Sequence, residues 1–333
     1  MKKSVCILFG GKSEEYEVSL SSCYSVLNSI NYSLYDIHVI GITRNGAWLR
    51  FFGDKEMILN DTWWEYSTPI TVDFSSGRVD NLPLDTVFFP VMHGSFCEDG
   101  RLQGLFELLN LRYVGCDSIS SFLCMDKHLT KLRAGDLGVP TVPHALVDKG
   151  FLNNNTKLNF SYPVFVKPSR SGSSRGASLV LCDDMLHGAV SCALEFSSKV
   201  LIEKFVNGTE CEIGALSTRD GVIFSPVGSI SYSSSFYDYR QKYLNKTTEY
   251  SIPAAVSHHI RDKITDYAKT LFNGLGCYGL SRLDFFVDGE NIYFNEINTF
   301  PGFTKSSMYP MLFNEIGYDL TAIIDILIEN AKI

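Results

Sequence analysis

Short apolar runs alternate with helix-spaced apolar positions through the first third of the chain. Residues 4–9 (SVCILF), 35–42 and 86–92 are apolar stretches of strand length. Between them Val18, Cys23, Val26, Leu27 and Ile30 fall on one helical face, and Leu102, Leu105, Phe106 and Leu109 sit at i, i+3, i+4, i+7. Such alternation predicts an α/β unit with an open, mostly parallel sheet. Residues 44–85 break the rhythm with Trp48, Phe51, Phe52, Trp63 and Trp64, and read as an insertion packing on the sheet.

Beyond it a helix is expected over residues 118–137, stopped by Gly138-Val139-Pro140. Residues 153–161 (NNNTKLNFS) read as a loop. Then come a strand at 163–168, a Gly/Ser loop at 169–176, a strand, a helix and a strand at 200–205. The last third is strand-rich up to a helix at 258–273, and a hairpin at 281–298 turns at Asp288-Gly289. An amphipathic helix closes the chain near Ala331.

Composition narrows the function classes. The 333 residues suffice for two or three domains. A net charge of −8 speaks against nucleic acid or an anionic membrane as partner, yet leaves room for a small phosphorylated ligand held by a local cation cluster. The apolar run after Lys2-Lys3 is too short for a signal peptide and reads as a first strand. No stretch approaches a membrane span. Nine scattered cysteines without a CxxC pair suggest reduced thiols in a cytoplasm, and nothing around Cys97 supports a thiol nucleophile.

Three elements carry chemistry. In the hairpin, strand alternation puts Arg282 with Asp284, and Glu296 with Asn298, on shared faces. Leu283, Phe285 and Ile297 lie opposite, with Phe286 and Phe294 expected on the polar side. Carboxylate and amide oxygens of this kind suit Mg²⁺; the bland reading is a solvated hairpin face. The second element is a strand delivering Lys167 into Ser169-Arg170-Ser171-Gly172-Ser173-Ser174-Arg175-Gly176, a loop able to cradle phosphates although it is not a P-loop. The third, Leu201-Ile202-Glu203-Lys204-Phe205-Val206 with Glu210, reads either as an edge strand or as a hinge for an adenine ring.

In this order and spacing the three elements resemble the ATP-grasp fold, and the rest of the chain resembles its D-alanine–D-alanine ligase branch. Residues 10–19 (GGKSEEYEVS), His93-Gly94, Glu98-Asp99-Gly100 with Gln103-Gly104, Met125-Asp126-Lys127, and 298–310 (NTFPGFTKSSMYP) match that family's signatures in register. The resemblance implies an N-terminal Rossmann-like substrate-binding α/β domain (1–118) followed by a two-lobed α+β ATP-grasp fold. Its lobes are a central one (119–205) and a C-terminal one (206–333) with the metal-binding and catalytic residues.

It further implies phosphate contacts from Lys127, Lys167, Ser173, Ser174 and Lys242. An adenosine site would use Phe165, Glu203, Lys204, Val206, Glu210, Phe236 and Phe286, with Asn295 also on the ATP. Two Mg²⁺ ions, replaceable by Mn²⁺, would sit on Asp284, Glu296 and Asn298. Glu15 would bind the first ammonium with His93 beside it, and Arg282 with the Gly302 amide would stabilise an oxyanion. Glu15, Ser173 and Tyr243 would take the second amine's proton, Ser307 and Met308 would anchor its carboxylate, and Tyr237 would lie in a loop closing on the site. The cofactor is ATP with Mg²⁺, the expected assembly a homodimer, and the expected product D-alanyl-D-alanine for peptidoglycan.

The second substrate stays open between D-alanine and D-serine. Lys242-Tyr243 disfavours D-lactate. Residues 58–63 and 41–43 resemble vancomycin-resistance D-serine ligases, whereas Met308 resembles housekeeping alanine ligases. Arg175 either pairs with a carboxylate across the cleft or binds phosphate. Another carboxylate–amine ligase of the same fold is opposed by Glu15 and His93-Gly94. A non-catalytic nucleotide binder predicts loss of one of Arg282, Asp284, Glu296 or Asn298, and all four are present.

Overall fold

A computed structural model describes residues 2–153, 158, 160–232 and 248–332. The first sheet forms from β1 (Lys3–Gly10), β2 (Tyr35–Ile42), β3 (Trp48–Phe51), β4 (Ser67–Pro69), β7 (Val87–Pro90) and β8 (Arg112–Tyr113), in the order β4-β3-β2-β1-β7-β8. A separate two-stranded ribbon joins β5 (Val72–Asp73) to β6 (Arg78–Val79). Pairings β1/β2, β1/β7 and β7/β8 are parallel, as the apolar runs predict. The β2/β3 and β3/β4 pairings are antiparallel, so part of the aromatic insertion extends the sheet rather than lying on it. Trp63 is its anchor: it packs edge-on to Phe9 at 4.8 Å, and its indole N–H donates to the Tyr16 hydroxyl at 3.0 Å. Phe52 and Trp64 are exposed.

Helix α1 (Tyr16–Ser29) covers this sheet through Leu20, Cys23, Val26 and Leu27. Val18, expected on the same face, is instead exposed, because at about 100° per residue it lies off the stripe of Cys23, Val26 and Leu27. Short α2 (Lys55–Leu59) lies in the insertion, and α3 (Arg101–Leu108) buries Leu102 and Phe106.

The expected helix over 118–137 is two helices, α4 (Ser118–Met125) and α5 (Lys127–Asp136). They break at Asp126, whose extended backbone (ψ 98°) leaves its carboxylate free to accept from the amides of His128 and Leu129. An acidic N-cap of this kind satisfies first-turn donors at the positive end of the helix. The second sheet is antiparallel, in the order β11-β10-β12-β9, from β9 (His144–Val147), β10 (Val164–Pro168), β11 (Ser178–Val180) and β12 (Val200–Lys204). With β10 on one side and β9 on the other, β12 is not an edge strand. Helix α6 (Asp183–Leu194) packs Leu186 and Val190 against Val164, Val166 and Ile202.

The third sheet runs β16-β15-β13-β17-β18, with β14 also on β13, from β13 (Thr209–Thr218), β14 (Gly221–Phe224), β15 (Gly228–Tyr232), β16 (Thr248–Ser251), β17 (Leu280–Asp288) and β18 (Asn291–Asn298). Helix α7 (His258–Gly274) packs Ile260, Ile264, Ala268 and Leu271 under it, together with Cys124 of α4 and Ala134 of α5. The chain ends with α8 (Met308–Asn314) and α9 (Leu320–Glu329). Their Tyr309, Phe313, Ile323, Ile324 and Leu327 return to the first sheet's core. Among the described residues no helix is long and apolar enough to cross a membrane.

One hairpin expectation is corrected. Asp284 faces Glu296, but Phe285 faces Phe294, so β18 carries a bulge at Asn295. The extra residue flips the alternation. Phe294 therefore points into the core against Phe285, with ring centroids 5.8 Å apart, and not onto the polar side.

Candidate active site

All three sheets contribute to one cavity of about 950 Å³, large for a small-molecule pocket. Glu15, His93, Lys127, Phe165, Lys167, Ser173, Ser174, Glu203, Lys204, Val206, Glu210, Arg282, Asp284, Phe286, Asn295, Glu296, Asn298 and Gly302 all line it. Ser307 and Met308 do not. Ser307 packs behind Gly302 and accepts from the Thr304 amide at 3.1 Å, while Met308 is buried. Phe236, Tyr237, Lys242 and Tyr243 lie outside the described residues.

The deepest part is a chain of alternating charge. Lys167 ends β10 and reaches Glu203 of β12 at 2.9 Å and the Asn295 side-chain oxygen at 3.0 Å. Lys131 meets the other Glu203 oxygen at 3.1 Å and donates to the Phe294 carbonyl. Burial alone would raise the Glu203 pKa; the two lysines outweigh it and lower it. Lys131 is fully buried, and that brings its pKa down to about 8 against the pull of Glu203. Glu203, matched at first to the adenosine segment, is thus also the counter-ion of two lysines. Lys131 went unnoticed in the sequence, although it lies one helical turn from Lys127.

Toward the hairpin, Lys127 sits 3.1 Å from Glu296 and donates to the Ser171 carbonyl. Burial would raise Glu296, but Lys127 and Lys167 hold it down at about 2. Arg282 donates through Nε and Nη2 to both Asp284 oxygens at 2.8 Å, and Asn298 reaches Oδ2 at 3.1 Å. Glu212, opposite Asp284 across β13/β17, was also missed. Its spacing of two from Glu210 in a strand was the available signal. Arg282 Nε lies 3.0 Å from Glu212 Oε2, but its one hydrogen is spent on Asp284, so that buried oxygen has no hydrogen bond. Burial pushes Glu212 up to about 8.

Among the described residues no three acidic, His or Cys groups cluster closely enough to hold a metal unaided. The oxygen donors of Asp284, Glu296 and Asn298, with the orphaned Glu212 oxygen beside them, nonetheless fit a hard divalent cation that fills its shell from water and phosphate.

The other half of the cavity is the rim of the first sheet. Glu15 precedes α1, and its carboxylate accepts from the Ser173 hydroxyl across the cleft. It lies so close to Gly172 that a Cβ there would come within 2.7 Å of Oε2. His93 is buried, with Nε2 2.9 Å from Ser22 Oγ, Nδ1 3.1 Å from the Phe300 carbonyl and Glu98 at 3.5 Å. Burial would lower the His93 pKa, yet Glu98 outweighs it and raises it; burial in turn pushes Glu98 up to about 7. Cys97 is buried and its thiol is pushed up, which leaves no thiolate nucleophile there.

The loop 169–176 spans the two halves. At its base Ser169 and Arg170 donate to Asp126 at 2.8 and 2.7 Å. At its tip Ser173 and Ser174 hold left-handed backbones, φ 47° and 53°. Each costs on the order of 1 kcal/mol or more and persists only where its surroundings enforce it. Arg175 meets Glu14 at 2.6 Å, the carboxylate alternative of the two expected for it.

Family models described as D-ala D-ala ligase N-terminus and C-terminus match residues 4–116 and 134–329. The D-alanine--D-alanine ligase of Acetivibrio thermocellus is 39% identical, over 99% of this chain and 96% of the relative. That of Enterococcus hirae is 38% identical over 98% and 95%. Among solved structures, the VanG D-Ala:D-Ser ligase from Enterococcus faecalis superposes with a TM-score of 0.90 at 37% identity, covering 99% of each chain. The D-alanine-D-alanine ligase from Coxiella burnetii gives 0.85 at 29% identity, over 98% of this chain and 93% of that one.

Proposed function

The chain belongs to the D-alanine–D-alanine ligase family, and from that membership we propose how its cavity joins two amino acids. The enzyme has the ATP-grasp fold and is an ATP-dependent ligase that makes D-alanyl-D-alanine for peptidoglycan synthesis. A carboxylate oxygen of the first D-alanine attacks the γ-phosphorus, the β–γ bridge breaks, and ADP and a D-alanyl phosphate result. The amine nitrogen of the second D-alanine then attacks the acyl carbon. The tetrahedral adduct expels phosphate, and the nitrogen gives up its proton.

Each residue's role is our reading. Both reacting groups in the first step are anionic, so the lysine-rich half is where the triphosphate lies. Lys127 and Lys167, already paired with Glu296 and Glu203, neutralise its charge. Phe165, Phe286, Val206, Lys204, Glu203 and Glu210 wall the nucleoside; Ser174 and Asn295 contact phosphate. Glu15 receives the first ammonium beside His93. Arg282 and the Gly302 N–H stabilise the oxyanion, a task in which removing one donor costs about 10²–10³ in rate. Ser173, hydrogen-bonded to Glu15, begins the path for the amine proton, continued by Tyr243. Ser307 and the Met308 backbone anchor the second carboxylate from behind Gly302. Phe236, Tyr237 and Lys242, outside the described residues, are assigned by family resemblance to covering the site and excluding water.

Asp284, Glu296 and Asn298 would hold two Mg²⁺, or Mn²⁺, which when bound offset phosphate charge. We also propose a three-part division at 1–118, 119–205 and 206–333, with α9 returning to the first part, a cytoplasmic location and a homodimer. The superposition on a D-Ala:D-Ser ligase keeps D-serine as the alternative acceptor.

The observation that carries the reading is the single cavity in which Lys127–Glu296, Lys167–Glu203 and Arg282–Asp284 face Glu15 and His93. Incubation with ATP, Mg²⁺ and D-alanine is expected to yield dipeptide and phosphate in equal amounts. Absence of ADP release with every D-amino acid pair would overturn the ligase reading, and dependence on D-serine would change only the acceptor.

A further inference from the structure

We infer that Arg175 is a positioning residue: its ion pair with Glu14 holds the phosphate loop against the amino-acid rim, so that Ser173 stays on Glu15. The inference rests on the ligase reading above and concerns a contact that the reaction itself does not require. The loop carries two arginines. Arg170 is held at the base by Asp126, at 2.7 Å. Arg175, at the tip, crosses the cleft to Glu14 at 2.6 Å.

The two cross-cleft contacts are in register. Glu14 and Glu15 are neighbours on the rim; Arg175 and Ser173 are two apart on the loop. Between Arg175 and the cleft contact stand Ser173 and Ser174 in left-handed conformations, which a free loop of non-glycine residues leaves. Backbone hydrogen bonds from the Arg175 amide to the Gly172 carbonyl (3.2 Å) and from the Ala177 amide to the Ser174 carbonyl (3.1 Å) shape the turn, and the Ser173 hydroxyl on Glu15 ties it to the rim. The Arg175–Glu14 pair adds a second tether to that rim, one residue from Glu15.

Both partners of the pair are roughly half exposed or more, with side-chain exposures of 45% for Arg175 and 67% for Glu14. Solvent screens such a pair, so it can open for substrate entry and close again. The rim around it is acidic: Glu17 lies close enough that Arg175 helps lower its pKa, after the larger effect of Arg44. A cation at position 175 therefore finds its partner on this acidic rim in Glu14, while Glu15 and Glu17 are taken up by Ser173 and Arg44.

The test compares wild type, Arg175→Ala, Glu14→Ala and the swap Glu14→Arg/Arg175→Glu, with thermal unfolding checked for each. Dipeptide and phosphate are measured against D-alanine and ATP. Wild-type synthesis tests the ligase reading by itself. Each single variant is expected to raise KM for D-alanine about three- to fivefold, the scale of an exposed ion pair. The ratio of phosphate to dipeptide should rise with it, while KM for ATP stays within about twofold. The swap should restore both. A rise confined to KM for ATP would make Arg175 a phosphate ligand and overturn the inference, as would unchanged kinetics in the single variants or a swap that rescues nothing.

Discussion

The two halves of the cavity are built in opposite ways. On the nucleotide side, Lys131, Lys167 and Glu203 are buried, stand on helix and strand positions, and share charge at 2.9–3.1 Å. On the amino-acid side, Glu14, Glu15, Ser173 and Arg175 stand on loops, and their contacts cross a cleft through exposed groups. A buried charge network is costly to break, because a lone ion left in a low dielectric loses both water and partner. An exposed pair contributes little to stability and is free to open. Rigidity where phosphate charge must be met in a fixed geometry, and looseness where substrates enter, follow from burial alone.

The comparison can be broken most forcefully at Glu203. Glu203→Ala leaves two buried lysines sharing no carboxylate there, and is expected to destabilise by about 3–5 kcal/mol in urea unfolding. An effect below 1 kcal/mol would mean the network is solvated after all. Next is Arg282→Met, which removes the partner of Asp284 but leaves the Lys131–Glu203–Lys167 pairs in place. It should lower kcat by about 10²–10³, or roughly 2.7–4 kcal/mol, with KM for ATP little changed. A variant with full kcat would remove Arg282 from the chemistry.

The amino-acid half also contains one buried pair, His93–Glu98, which sharpens the contrast. Burial pushes the Glu98 carboxyl up to about 7 in the folded chain, from an ordinary value of 4.5. Its contribution to stability is therefore complete below about pH 4.5 and lost as pH rises through about 7. His93, also raised, acts in the same direction. Glu98→Gln should flatten the fall in unfolding free energy between pH 5 and 8 by about 2–3 kcal/mol. An unchanged slope would place Glu98 in water. The smallest effect on D-alanine is expected from salt: raising NaCl to about 0.5 M should weaken D-alanine binding no more than severalfold through the exposed Arg175–Glu14 pair, and the Arg175→Ala variant should lose that part of the salt dependence.

Much of this was legible in the chain. Strand alternation alone put Arg282 with Asp284 and Glu296 with Asn298, and the cavity contains all four. Periodicity located β2 at the residues observed and the helix following Ser257 to within a residue. The misses share a cause. The bulge at Asn295 turned Phe294 inward, because one extra residue reverses every side chain beyond it. Asp126 ended one helix and capped the next, a choice made by where its carboxylate could reach Ser169 and Arg170, more than 40 positions further along the chain.

The sequence by itself determined the elements, the polar faces and the family, because those depend on residue type at short spacing. It also named Arg175 without naming its partner. Tertiary structure alone decided that Lys131 and Glu212 belong to the site, that Arg175 meets Glu14, and that α9 completes the first core from the far end of the chain. Such pairings join residues tens to hundreds of positions apart. Their energies come from burial and distance, which exist only once the chain has folded.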